Sequence, residues 1–536
     1  MSKRPNFLVI VADDLGFSDL GCYGSEINTP NLDKLAQGGV RMTNFHTAAA
    51  CSPTRSMLFS GTDNHIAGLG EMVEYMIPFK EYFKDKPGYE GYLNWRVAAL
   101  PEVLQDGGYH TIFSGKWHLG LTKEFSPSSR GFTKDFTFLP GAGNHFGYEP
   151  QLQDDVSFPA LSSKGHWMED GNSFDHEDLP KDFYSTTTFT DKMLDKFKLR
   201  TEEEKQKPFF ATLAFTAPHW PLQAPKHVVD KYRGKYDQGP DHLAASRLRR
   251  LIELGLVSQT AQIPDPVGVQ GYEWSSMTAE AKARSARAME VYAAMVEMVD
   301  DNVGRVLEHL GKTGELDDTF VLFMSDNGAE GASIEAAPIM GGTKTMAYIF
   351  DKYYNNSLEN IGRPDSFVWY GPRWACASTA PSRVSYPQWP TKPGAITDSF
   401  TSVMDILPTI LQLADVPHPG KTFRGREVIP PRGKSWVNHL SSSNDARVGV
   451  YDEEVDIHGW EFLNHKAIRK GNWKAVWISA PRGKDEWELY DIEKDPSELL
   501  DLAAERPDVL EEMIFYWEQY YSETGMIPTP MLGHRP

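Results

Sequence analysis

The stretch N-F-L-V-I-V-A-D-D-L-G, Asn6 to Gly16, decides the fold class. From Asn6 to Ala12 the chain is a continuous β-type run, and it ends in Asp13-Asp14-Leu15-Gly16. A run that is apolar on both faces and closed by turn residues predicts a strand buried in a parallel or mixed sheet. Further along, Thr29 to Ala36 predicts a helix, with Thr29 as its cap and Pro30 in its first turn. Val40 to Phe45 is expected to be the next strand. Thr111 to Ser114, Phe209 to Phe215 and Thr319 to Met324 read as further buried strands, each leading directly into polar or charged residues. Between them, Met289, Tyr292, Ala293, Val296, Val299, Val303, Val306 and Leu310 recur at helical spacing, predicting a core-facing helix over Ala279 to Leu310. This alternation predicts an α/β domain: a large mixed sheet with helices on both faces, and ligands at the carboxyl ends of its strands.

After about residue 420 the texture changes. Pro430-Pro431-Arg432-Gly433-Lys434 is linker-like. Short β-rich pieces follow at Lys466 to Arg469, Trp473 to Ile478 and Trp487 to Tyr490, and then a helix near Asp508 to Tyr521. The expected organisation is a catalytic domain over 1–430 and a smaller C-terminal α+β domain with an antiparallel sheet over 431–536.

The chain has 536 residues and a formal net charge of −20. Nucleic acid and anionic membranes would be repelled, whereas a small anionic substrate is still admissible where a local cation dominates. The apolar run Phe7 to Ala12 is too short for a signal-peptide core, and no stretch reaches the length of a membrane span. Cys22, Cys51 and Cys376 imply no disulfide framework. A soluble, cytoplasmic monomer with no membrane or nucleic-acid partner is the expectation.

Five segments carry polar chemistry. Asp13-Asp14 places two adjacent carboxylates after a buried strand; they serve a turn or cap, or need a cation to offset their repulsion. Ser325-Asp326-Asn327-Gly328 offers a further carboxylate and an amide oxygen, or forms an Asn-Gly turn. Together these four residues make an all-oxygen set suited to Ca²⁺ or Mg²⁺. In Gly115-Lys116-Trp117-His118, Lys116 and His118 are two apart, so an extended backbone would point them to one side. His219 sits between Pro218 and Pro221, in a segment expected to be extended and stiff. Finally, Ala50-Cys51-Ser52-Pro53-Thr54-Arg55 reads as a helix start with Cys51 at its N-terminus, either a thiolate or an inert buried thiol.

The last segment, C-S-P-T-R-S-M-L-F-S-G, resembles the sulfatase signature C-x-P-x-R. V-A-D-D-L-G, G-K-W-H-L-G, A-P-H-W-P and S-D-N-G fall in that family's order, and L-Y-D-I-E-K-D-P-S-E-L-L-D-L-A is similar to its terminal domain. The resemblance spans nearly the whole chain and leans toward bacterial-type arylsulfatases. It implies an alkaline-phosphatase-like fold and hydrolysis of small-molecule sulfate esters. It also implies conversion of Cys51 to formylglycine by a separate formylglycine-generating enzyme. One Ca²⁺ would be held by Asp13, Asp14, Asp326 and Asn327 with an oxygen of residue 51. The hydrated aldehyde would attack sulfur and then expel sulfate through its second hydroxyl, a step that a serine could not perform. Arg55 and Lys116 would stabilise charge, and His118 would remove the proton that releases sulfate. His219 would contact the sulfate or protonate the leaving oxygen, and Asp326 is a second acceptor for the nucleophile's proton.

One departure stands out. The family's K-x-F-x-x-x-G-G-I-R-x-P segment, with its second active-site lysine, is absent after Gly371-Pro372-Arg373-Trp374. Ser382-Arg383 runs straight into Val384-Ser385-Tyr386-Pro387, and Lys392 stands in the wrong context to replace it. Three alternatives accompany the arylsulfatase reading: a phosphate or phosphonate monoester hydrolase, a degenerate non-catalytic protein, which this absence favours, and a thiol enzyme using unmodified Cys51.

Overall fold

The computed structural model describes residues 4–151, 166–265, 273–331, 346–379, 386–387, 394–441 and 449–530. The opening stretch forms the strand Asn6–Asp13, buried along its whole length. It lies inside an eight-stranded sheet, third from one edge. Parallel neighbours flank it, Thr319–Ser325 on one side and Phe209–Pro218 on the other. His110–Lys116 and then Lys134–Phe138 continue the parallel set. Antiparallel strands close both edges: Trp167–Glu169 and Asn172–Phe174 at one, Tyr386–Pro387 at the other. The sheet is mixed, as the sequence predicts. The edge strands went unread because they are too short to show a period.

Alternation along Asn6–Asp13 sends Leu8, Ile10 and Ala12 into one apolar core and Phe7, Val9 and Val11 into the other. The first core packs under Pro30–Gly38, Ser185–Lys198 and the long helix Ala279–Thr313. The second packs under Cys51–Ser60, Leu100–Asp106 and Ile406–Ala414. Helices thus cover both faces.

Two local expectations are corrected. Thr29 occupies the N-cap position, but its hydroxyl donates to Asp33 Oδ1; the free N–H groups of Asn31 and Leu32 donate to Asp300 instead. Val40 to Phe45 is not one strand of the main sheet. It divides at Thr43-Asn44 into Val40–Met42 and Phe45–His46, which pair with Ala395–Thr397 and Thr401–Ser402.

Beyond the linker-like prolines, His458–Phe462, His465–Lys470, Trp473–Trp477 and Trp487–Asp491 form an antiparallel sheet. The helix Pro507–Thr524 covers it, and Ile468, Ala475, Leu489, Met513 and Trp517 share its core. Among the described residues no helix is long and apolar enough to cross a membrane.

Candidate active site

The site lies at the carboxyl ends of the central strands. Ala12 pairs with Ser325, and Asp326 N–H donates to Ala12 O at 3.1 Å, which fixes the two Asp-bearing turns side by side. Register along Phe209–Pro218 shifts between Val11 and Asp13, so the Asp turn splays where it leaves the sheet. Asp14 then adopts the left-handed conformation, at φ 64°. Its carbonyl accepts from the Tyr292 hydroxyl at 3.1 Å, and its N–H donates to Asp326 Oδ1 at 3.3 Å.

Lys116 and His118 do converge on this point, but not by extended alternation. The strand His110–Lys116 stops at the lysine, and His118 is left-handed at φ 56°. Such conformations are uncommon for non-glycine residues and cluster at functional sites. Lys116 Nζ donates to Asp13 Oδ2 at 2.7 Å, while His118 Nδ1 lies 3.1 Å from Cys51 Sγ. Burial pulls the Lys116 ammonium down, but Asp13 beside it more than offsets this, so the side chain stays charged. His219 is likewise not extended: it sits in a bend just past Phe209–Pro218, its N–H donating to Thr216 O. Its Nδ1 donates to Trp220 O, leaving Nε2 facing Asp14 Oδ2 at 3.5 Å. Burial and the Lys116 charge hold its pKa well below the ordinary imidazole value.

Cys51 opens the helix Cys51–Ser60 and is 4% exposed. Arg55, one turn on, donates through Nε and Nη2 to Asp326 Oδ2 at 3.0 and 2.8 Å, and through Nη1 to Lys116 O at 2.6 Å. Burial, with Asp13, Asp326 and Asp14 behind it, pushes the Cys51 thiol well up despite Lys116.

The donor set fits a hard divalent cation. Asp13 Oδ1, Asp14 Oδ2 and Asn327 Oδ1 are buried with no hydrogen-bond partner among the described residues. Asp13, Cys51 and Asp326 each offer one ligand atom, and these lie within 4.8 Å of one another. Burial and the neighbouring carboxylates push Asp14 well above its ordinary value, a repulsion that a cation would relieve. The four oxygen residues, Cys51, Arg55, Lys116, His118 and His219 are therefore gathered at one point. Ser382, Arg383 and Lys392 lie outside the described residues. Tyr386–Pro387, just after that junction, returns antiparallel to Thr319–Ser325, pairing with Phe323 and Leu322.

The family model described as Sulfatase matches residues 5–416. The chain belongs to the sulfatase family. A second model, described as N-sulphoglucosamine sulphohydrolase, C-terminal, matches residues 366–514 of this sulfatase. The chain is 53% identical to an uncharacterised sulfatase of Schizosaccharomyces pombe, covering 99% of this chain and 95% of the relative. It is 36% identical to an arylsulfatase of Klebsiella aerogenes, covering 81% and 91%. The solved structure of Ps i-CgsB in complex with k-i-k-neocarrahexaose has the same fold, at TM-score 0.62 and 22% identity over 99% of this chain and 96% of that one.

Sequence reasoning missed Glu74. His118 Nε2 meets its Oε1 at 2.9 Å inside the protein. Burial pushes the Glu74 carboxyl up, and the His118 ring with Lys116 behind it more than reverses this, leaving it below the ordinary carboxylate value. No spacing connects Gly70-Glu71-Met72-Val73-Glu74 to a histidine 44 residues later, so the sequence carried no signal for it.

Proposed function

We propose that this sulfatase hydrolyses aryl sulfate monoesters, using formylglycine made from Cys51 by a separate enzyme and Ca²⁺ held by Asp13, Asp14, Asp326, Asn327 and residue 51. One observation carries the reading. The signature cysteine is at a helix N-terminus, within 3.1 Å of an imidazole nitrogen and beside three orphaned carboxylate and amide oxygens. The 36% identity to an arylsulfatase supports an aryl alcohol as the leaving group.

The cation supplies Lewis-acid polarisation of a sulfuryl oxygen. The formylglycine supplies, once hydrated, an attacking hydroxyl and a second one whose deprotonation drives sulfate release. The chain's own residues do the rest. Arg55 and Lys116 present fixed positive charge where negative charge builds up. His118 Nδ1 faces residue 51 and takes the proton of the second hydroxyl, the step that releases sulfate. His219 enters neutral, takes a proton on Nε2 from solvent as the sulfate ester binds, and gives it to the departing alcohol oxygen. Asp326, held by two Arg55 nitrogens, keeps the guanidinium aimed at the site.

The test pairs peptide mass spectrometry across residue 51 with release of inorganic sulfate from para-nitrophenyl sulfate and of phosphate from para-nitrophenyl phosphate. Sulfur replaced by oxygen with loss of two hydrogens, together with faster turnover of the sulfate, is expected. An intact thiol with no turnover, or a preference for phosphate, overturns the reading.

The metal assignment has its own readout. Ca²⁺ at about 100 times its dissociation constant is expected to stabilise the wild-type fold by about 2.7 kcal/mol in thermal unfolding. Asp14→Asn removes a repelled carboxylate, so its metal-free form should unfold no earlier than wild type and gain nothing from Ca²⁺. An equal gain in both proteins would count against Asp14 as a ligand.

A further inference from the structure

The imidazole nearest residue 51 is held from behind. Glu74 lies on the short helix Val73–Met76, is 3% exposed, and its Oε1 is 2.9 Å from His118 Nε2. An ionised carboxylate can only accept a hydrogen bond. The proton of the neutral ring therefore sits on Nε2, and Nδ1 presents its lone pair toward residue 51, 3.1 Å away at Sγ. Glu74 Oε2 has no partner among the described residues, so the carboxylate's hydrogen bonding is spent on this ring. The wall opposite is Gly141: a Cβ there would come within 2.6 Å of His118 Cε1 and Nε2 and 2.8 Å of Glu74 Oε1. No positive φ demands a glycine at this position, so its missing side chain serves close approach to the pair.

We propose that Glu74 is a positioning residue of this active site, fixing His118 in the Nε2–H tautomer with Nδ1 aimed at residue 51, and that Gly141 is kept small to admit the pair. Glu74 touches neither the metal oxygens nor residue 51. Its effect passes through the histidine, on the step in which His118 takes a proton. A ring free to swivel or to carry its proton on Nδ1 is a donor where an acceptor is required. The kinetic part of this inference rests on the sulfatase reading; the tautomer does not.

The experiment uses the full chain carrying the modified residue 51. Turnover of para-nitrophenyl sulfate is measured alongside nitrogen NMR of the histidine rings, with the His118 signals assigned by His118→Gln. Wild type is expected to show an unprotonated Nδ1. Glu74→Ala should lower kcat about 10- to 100-fold and mix the His118 tautomers. KM should hold within about twofold, because no substrate contact is lost. Glu74→Gln, whose amide oxygen can still accept from Nε2, should keep the wild-type ring spectrum and more of kcat than Glu74→Ala. Gly141→Ala approaches the pair from the other side and should reproduce the Glu74→Ala pattern, which keeps the test open if Glu74→Ala fails to fold. Wild-type kcat with an unchanged ring spectrum in Glu74→Ala or Gly141→Ala overturns the inference. A wild-type protein with modified residue 51 that turns over no sulfate ester sinks the function instead, while the NMR still decides the role of Glu74.

Discussion

Cys51→Ser is expected to release at most one equivalent of phenol per chain from an aryl sulfate and then stop, and Cys51→Ala none. Steady-state turnover in both should fall by about 10⁴-fold or more, as when a nucleophile acting in concert with its neighbours is removed. The two variants separate the steps. A serine at position 51 keeps one hydroxyl near Asp326, the acceptor for the nucleophile's proton, with Arg55 and Lys116 still paired to Asp326 and Asp13. Attack on sulfur is then possible, but no second hydroxyl on the same carbon exists to push sulfate off. Serine is smaller than the buried cysteine it replaces, so the helix Cys51–Ser60 should be undisturbed and unfolding transitions should match wild type. The check is a rapid-quench burst with intact-mass detection of one SO₃ group on the chain. Continuous turnover by Cys51→Ser would show that residue 51 needs only one oxygen, and the formylglycine reading would fall.

The sequence announced the strand ends because an apolar run that stops at Asp13 or Ser325 is visible in one dimension, and strands of a parallel sheet all bring their carboxyl ends to one edge. The four oxygen residues and Lys116 are legible in that way, whereas Arg55 was read from its place one turn after Cys51 on a helix. What the sequence could not show is how Asp14 and His118 turn. Left-handed kinks at these residues replace the extended geometry expected for Lys116-Trp117-His118, and they depend on the neighbouring Asp326 and on Gly141, contributed by distant segments. Glu74 was invisible for the same reason: its partner is set by packing of the short helix Val73–Met76, not by a repeat. The resemblance to a family supplied the chemistry of Cys51, while the structure supplied its burial and the carboxylates beside it.

His65→Leu should destabilise the fold by about 3–5 kcal/mol near neutral pH, the cost of leaving buried carboxylates without their cation. His65 is buried against the first strand of the C-terminal sheet, His458–Phe462. Its Nδ1 lies 2.8 Å from Asp63 Oδ1 and its Nε2 3.2 Å from Glu461 Oε2. Asp63 also accepts from the Tyr520 hydroxyl of the last helix, and Glu71 accepts from Leu463 N–H at 3.0 Å. Two carboxylates thus meet on one imidazole, and the last helix joins through Asp63. Two acceptors require both ring nitrogens to donate, so the ring is cationic. Burial pulls its pKa down, but Asp63 and Glu461 more than reverse this and raise it from 6.5 to about 10. A raised cationic group contributes stability that is fully present below its unfolded value and lost as pH rises through about 10. Burial, and Glu461 next to it, push Glu71 up from 4.5 to about 8; its folded form holds its proton more tightly, so that contribution also fades as pH rises toward 8. Tyr520 and Tyr89, the phenols beside the cluster, are pushed upward by burial and stay neutral across this window. Urea midpoints of wild type and His65→Gln, measured from pH 6.5 to 10.5, isolate the imidazole from the rest of the chain's titration. Their difference should be largest at the acid end and shrink through about pH 10, whereas a constant difference would mean that His65 contributes packing and not charge.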